Sequence, residues 1–163
     1  DLFAKHYETG KTIPADLVKK VEDSSTFQAG LQNVRQLMFA MLDFAWHSND
    51  PSSITSIKEF EEKILTPIRV VEALDGSAVS CSFSHVFSGG YSAGYYSYKW
   101  AEVLDADAFE YFKEKGIFSL EVAQKFREHV LSKGGSEHPM ELYKKFRGRE
   151  PDPDALLRRE ELL

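Results

Sequence analysis

From Phe27 onward, apolar residues return every three or four positions: Phe27, Leu31, Val34, Met38, Met41 and Ala45. That period belongs to one face of an α-helix, because a strand repeats every two residues. A run of this length commits the chain to several helical turns whose stripe must be covered by other elements. Leu37, Leu42 and Phe44 widen the stripe, so the helix is expected to be buried around much of its circumference. Ser25 with Gln28 has the S-x-x-Q form of a capping box, which places the helix start there. Asn49-Asp50-Pro51 is a breaker that places its end.

Similar signals punctuate the rest of the chain. A short helix is expected over about 14–21, opened by Pro14, and another from Ser53 towards Leu65, carrying Ile54, Ile57, Phe60 and Ile64. A long helical pattern runs from about Ser92 to Lys115, with Trp100, Leu104 and Ala108 on its core face and Gly116 as its stop. Ser119 caps a helix with Val122, Phe126 and Val130, and Pro139 opens one with Leu142, Tyr143 and Phe146 that Gly148 ends. The tail after Pro151 has room for a further turn or two. Residues 77–84 differ: Val79, Cys81 and Phe83 alternate with Ser80, Ser82 and Ser84, the period of an extended segment, and no partner strand is visible in the chain. The expected class is therefore all-α, an irregular domain of about six helices with one short extended segment.

Composition excludes several classes. The 42% hydrophobic and 13% aromatic content of these 163 residues rules out disorder and fits a single domain. No apolar stretch reaches the roughly 18 residues of a membrane span, and the first residues lack the order of a secretory signal. One cysteine, Cys81, allows no internal disulfide and no cysteine-based zinc site. A net charge of −6, from 26 acidic and 20 basic side chains, argues against a nucleic-acid partner. The late basic cluster of Lys144, Lys145, Arg147, Arg149, Arg158 and Arg159 is interrupted by acids and reads as a solvated face.

None of the five histidines (His6, His47, His85, His129 and His138) stands in an H-E-x-x-H arrangement, and no phosphate-binding loop or nucleophile elbow occurs. The segment that could carry chemistry is residues 85–98. Gly89-Gly90 opens backbone conformations closed to other residues. Tyr91, Tyr95 and Tyr98 follow at i, i+4 and i+7, which in a helix lines three phenols along one stripe. A phenol, with a pKa of about 10, is a neutral donor suited to an oxyanion in an apolar cleft. The same spacing also describes a half-buried helix seam with no chemistry, and spacing alone does not choose between the two.

The run from Phe83 to Tyr91, continued by Tyr98-Lys99-Trp100-Ala101-Glu102-Val103-Leu104-Asp105-Ala106-Asp107-Ala108-Phe109, resembles the thimet oligopeptidase-like zinc metallopeptidases, in particular the oligopeptidase A and peptidyl-dipeptidase branch. His6-Tyr7-Glu8-Thr9-Gly10, residues 27–35, Gly134-Gly135-Ser136 and residues 146–151 extend the likeness in family order, while residues 49–77 carry little of it. The resemblance implies a zinc-dependent oligopeptidase that hydrolyses short peptides. Family members carry their H-E-x-x-H helix and a further glutamate ligand upstream of the region matched here. The chain, which starts at Asp1 rather than Met, is thus expected to be the C-terminal helical part of such an enzyme over 1–163. On that reading it holds no zinc ligand of its own, is inactive alone, and has the rest of the same polypeptide as its partner. By resemblance, Tyr98 is the oxyanion donor, His85 a catalytic loop histidine, Tyr91 and Tyr95 contact substrate, and Gly89 and Gly90 are the hinge of a mobile loop. A cytoplasmic location is expected, or a periplasmic one if a signal precedes. The alternative is a non-catalytic helical module that binds peptides or acts as a scaffold.

Overall fold

The computed structural model describes residues 3–163. The helices are α1 (Ala15–Ser25), α2 (Ala29–Ser48), α3 (Ile57–Leu65), α4 (Val79–Ser82), α5 (Ser97–Lys115), α6 (Leu120–Phe126), α7 (Pro139–Arg147) and α8 (Asp154–Arg159). A single π-helical turn, Arg127–Leu131, prolongs α6. Among the described residues no strand forms, and the only β pairing is an isolated Lys5–Thr12 bridge. The class is all-α.

Helix α5 is the spine. On one flank Val103 and Ala106 pack on Ala155 and Leu156 of α8, and Arg158 and Arg159 close the seam by pairing with Glu110 and Asp105 at 2.8 and 2.6 Å. On the other flank Ala108 meets Val122 of α6 and Tyr143 and Phe146 of α7, with Leu104, Phe112, Phe126 and Val130 around them. Burying Phe146 to 2% exposure contributes about 2–3 kcal/mol. The N-terminal helices form a second layer, in which Leu42 of α2 and Leu65 of α3 are buried. Lys99 Nζ donates to Asn33 Oδ1 at 2.7 Å, and Thr26 to Glu161 at 3.2 Å, tying α2 and its entry turn to the α5 and α8 side.

Several expected boundaries hold: Ser119 Oγ accepts from the Val122 amide, Pro139 opens α7, and Gly116 and Gly148 end α5 and α7. Four expectations are corrected. The capping box at Ser25 is absent, because α1 runs through Ser25, whose hydroxyl donates back to the Glu22 carbonyl at 2.7 Å. The chain instead turns at Gln28, with φ of 56°, and α2 begins one residue later. The stripe of α2 is only partly covered: Leu42, Asp43 and Ala45 are buried, whereas Leu37, Met41 and Phe44 face outward. The extended segment is one turn of helix, α4, followed by a 3-10 turn at Ser84–Val86. A lone strand has no ladder to satisfy its amides, and here the buried Glu61 carboxylate of α3 accepts from the Val79 amide at 2.9 Å and from the Ser80 amide. That anion at the first turn favours helix over extension. Finally, α5 starts at Ser97 rather than Ser92, with residues 92–96 forming successive turns.

Candidate active site

The tyrosine segment is shaped by a carboxylate that the sequence reading passed over. Asp43, 1% exposed in the middle of α2, accepts from the Ala93 amide through Oδ1 and from the Tyr95 amide through Oδ2, both at 3.0 Å. In a continuous helix those amides would turn to carbonyls four residues back. Captured sideways, they hold Ala93 at φ of 56°, a left-handed conformation that a residue with a Cβ rarely takes.

The outcome brings the expected site residues together without the helix that was to align them. The Tyr91 and Tyr98 rings stack at 5.3 Å between centroids, and Tyr95 lies against Tyr98 at 5.0 Å. The His85 ring meets Tyr91 at 5.1 Å and Tyr95 edge-on at 6.1 Å, and Phe83 stacks on its other face at 5.2 Å. Exposure divides the phenols. Tyr95 is 8% exposed and donates to Gln36 Oε1 at 3.0 Å, so its hydroxyl is already engaged within the chain. Burial pushes its phenol above the ordinary value. Tyr98 is 41% exposed and opens to solvent. Its phenol is also raised, first by hydrogen bonding with the Tyr91 hydroxyl and then by burial, so it is no weaker a neutral group than an ordinary phenol, which is already protonated at neutral pH.

Gly89 and Gly90 form the tip of this segment at φ of 77° and 79°, conformations open to glycine. A Cβ on Gly89 would meet the Tyr91 ring at 3.2 Å, whereas one on Gly90 would meet nothing within 4 Å. Phe87, 56% exposed, stands on the same tip. An open apolar groove of about 570 Å³ runs between α2, the loop at 70–77 and α4, with Phe39 and Phe83 on its wall. The arrangement presents an outward-facing neutral donor and an imidazole on the rim of an aromatic surface, a layout suited to holding a polar, charge-developing group.

The sequence reading also missed Glu61 and Asp107. Each falls in an apolar setting, Asp43 between Leu42 and Phe44, Glu61 at helical spacing on the stripe of Ile57, Ile64 and Leu65, and Asp107 between Ala106 and Ala108. A carboxylate inside a core stripe was the available signal, since such a group persists there only when paired. Asp107, fully buried, takes the Tyr143 hydroxyl at 2.6 Å and the Arg149 fork at 2.6 and 3.3 Å, with Arg147 Nε 3.5 Å away. Arg147 also pairs with Glu114 at 2.8 Å and lies over the Tyr111 ring. Both arginines are thus engaged in joining α5 to α7 and the segment that follows it.

The described residues do not fit a metal ion, because no three His, Cys, Asp or Glu side chains among them stand close enough to hold one. No helix among them is long and apolar enough to cross a membrane.

Comparison with known proteins gives this geometry its context. The chain is 45% identical to the organellar oligopeptidase A, chloroplastic/mitochondrial, of Arabidopsis thaliana over 99% of its length, covering 21% of that protein. It is 44% identical to the probable cytosolic oligopeptidase A of the same plant, over 99% of the chain and 24% of the relative. Oligopeptidase A of Escherichia coli (strain K12) is 47% identical over 93% of the chain and 22% of its own length. The chain therefore spans roughly a fifth to a quarter of the curated relatives it matches. Residues 1–162 match the model of peptidase family M3, nearly the whole sequence, and the chain belongs to that family.

Proposed function

We propose that this chain is the C-terminal, substrate-binding and transition-state-stabilising part of a zinc-dependent oligopeptidase acting on short peptides. Its metal ligands lie in the rest of the same polypeptide, outside residues 3–163. The observation that carries the proposal is the convergence of Tyr98, Tyr91 and His85 on one rim, with the Tyr98 phenol opening outward. The uncovered row of Leu37, Met41 and Phe44 on α2 supports a larger body around this piece.

When a peptide bond is attacked, its carbonyl oxygen gains charge. The Tyr98 hydroxyl donates to that oxygen, and the bond strengthens as the charge grows. Being neutral, the phenol does this without adding a second charge to the cleft. His85, braced between Phe83 and Tyr91, supplies a second polar group at the reacting centre. Tyr91 lies along the substrate and over Gly89, Tyr95, buried and held by Gln36, supports the Tyr98 ring instead of reaching substrate, and the Gly89-Gly90 tip closes on the peptide. Zinc, implied by the family, is held elsewhere, and the chain alone cleaves nothing. The proposed compartment is the cytoplasm.

The test is Tyr98→Phe in the complete polypeptide. Loss of one oxyanion donor lowers turnover by roughly 10²–10³ while leaving substrate affinity nearly unchanged. Cleavage of a short peptide at the parental rate by that variant removes Tyr98 from the chemistry. A complete protein that binds peptides but hydrolyses none is a binding module instead.

A further inference from the structure

We infer that Asp43 is the positioning residue that sets the catalytic tyrosine, a proposal that rests on the function assigned above to Tyr98. A carboxylate only accepts hydrogen bonds, and the two oxygens of Asp43 take two backbone amides, those of Ala93 and Tyr95, from a turn fifty residues away in sequence. A third contact fixes the carboxylate itself: His47 Nδ1, one helical turn on, stands 3.1 Å from Oδ1 and 2.8 Å from the Asp43 carbonyl. At 1% exposure, water does not compete for these bonds.

The effect passes outward in a short chain of contacts. Asp43 fixes the backbone of Tyr95, the Tyr95 ring is sealed against Phe39 and Phe83, and the Tyr98 and His85 rings rest on Tyr95 at 5.0 and 6.1 Å. The left-handed backbone of Ala93 shows that this turn is imposed by the carboxylate and not chosen by local preference. Asp43 touches no reacting atom. It acts through the placement of Tyr98.

The decisive experiment is a double-mutant cycle in the complete peptidase with a short peptide substrate. Asn at position 43 replaces one accepting oxygen by an NH2 group that cannot accept from an amide. Asp43→Asn is expected to lower kcat roughly tenfold with KM within about twofold, because misplacing the donor weakens only the transition-state contact. In a Tyr98→Phe background the same change should lower kcat less than about twofold, since the group it positions is gone. An equal loss in both backgrounds overturns the proposal while leaving the role of Tyr98 intact. A Tyr98→Phe enzyme with parental kcat overturns the functional reading and this inference with it. Should Asp43→Asn not fold, Ala93→Val strains the same turn by placing a β-branched residue at a left-handed position and must show the same non-additivity, whereas Ala93→Gly must stay near the parental rate. Additive losses for Ala93→Val refute the proposal as firmly.

Discussion

Replacing Asp107 by alanine should be among the most damaging single changes outside the candidate site. Its carboxylate is fully buried and gathers three partners from α7 and the segment after it. Without it the Tyr143 hydroxyl, 7% exposed as a residue, keeps only a long 3.4 Å contact to the Leu104 carbonyl, and an unsatisfied buried hydroxyl costs about 1–3 kcal/mol. Arg147 Nε already lacks a hydrogen-bond partner and would lose the carboxylate 3.5 Å away, leaving its guanidinium paired with Glu114 alone. Arg149 is 43% exposed, so its share is screened by solvent and amounts to less than about 1 kcal/mol. At their upper end these losses give about 4 kcal/mol, in keeping with breaking a buried ion pair from one side. For a domain of this size that lowers Tm by roughly 8–16 °C, measured by the helical circular dichroism signal of the 163-residue chain on heating. Asp107→Asn, which keeps shape and one acceptor, should lose less than half as much. If Asp107→Ala melts within about 2 °C of the parent, the buried cluster is worth no more than a surface pair and the reasoning is wrong.

Two further outcomes follow from the same structure. Burial first, and then the hydrogen bond to Asp107, raise the Tyr143 phenol well above its ordinary pKa, so above about pH 10 the unfolded chain releases a proton that the folded chain keeps. Stability therefore falls as pH rises through that region, and Tyr143→Phe should flatten the alkaline limb of a denaturant-midpoint profile by up to about 1.4 kcal/mol per pH unit; parallel limbs would refute it. At the tip, Gly89→Ala and Gly90→Ala incur the same backbone strain, yet only the former drives a Cβ into the Tyr91 ring at 3.2 Å. In the complete peptidase Gly89→Ala should lose roughly tenfold more kcat/KM than Gly90→Ala, and equal losses would mean the Tyr91 ring is not positioned through Gly89.

The helices of the C-terminal half were legible because their signals are local. Ser119, Pro139, Gly116 and Gly148 each act within one turn of where they stand, and the four-residue spacing of Leu142 and Phe146 survives into the core. What sequence missed was set from far away. The alternation of Val79, Cys81 and Phe83 is a fair strand signal until Glu61, eighteen residues earlier, captures the Val79 amide. The periodic tyrosines were rightly grouped for the wrong reason: a helix would have aligned them, but a carboxylate fifty residues away gathers them through a turn. The apolar breadth of α2 points to a helix buried around much of its circumference, yet cover for Leu37, Met41 and Phe44 is not supplied by the described residues. The aromatic residues of 85–98 do gather into one cluster, while burial separates Tyr95 from Tyr98 in a way that spacing does not encode.

The two inward-facing acids, Glu61 and Asp43, grip the chain at 79–80 and again at 93–95, and neither contact involves the stretch between them. Between those pins Val86 is buried and Ser88 is bonded to the Ser84 carbonyl, so the place where a residue can be gained or lost with least shift of the anchored ends is Gly90, which has open space around it. Length variation there is thus a cheap evolutionary adjustment of how far the tip reaches, whereas an insertion on the far side of either pin would carry the aromatic rim out of place.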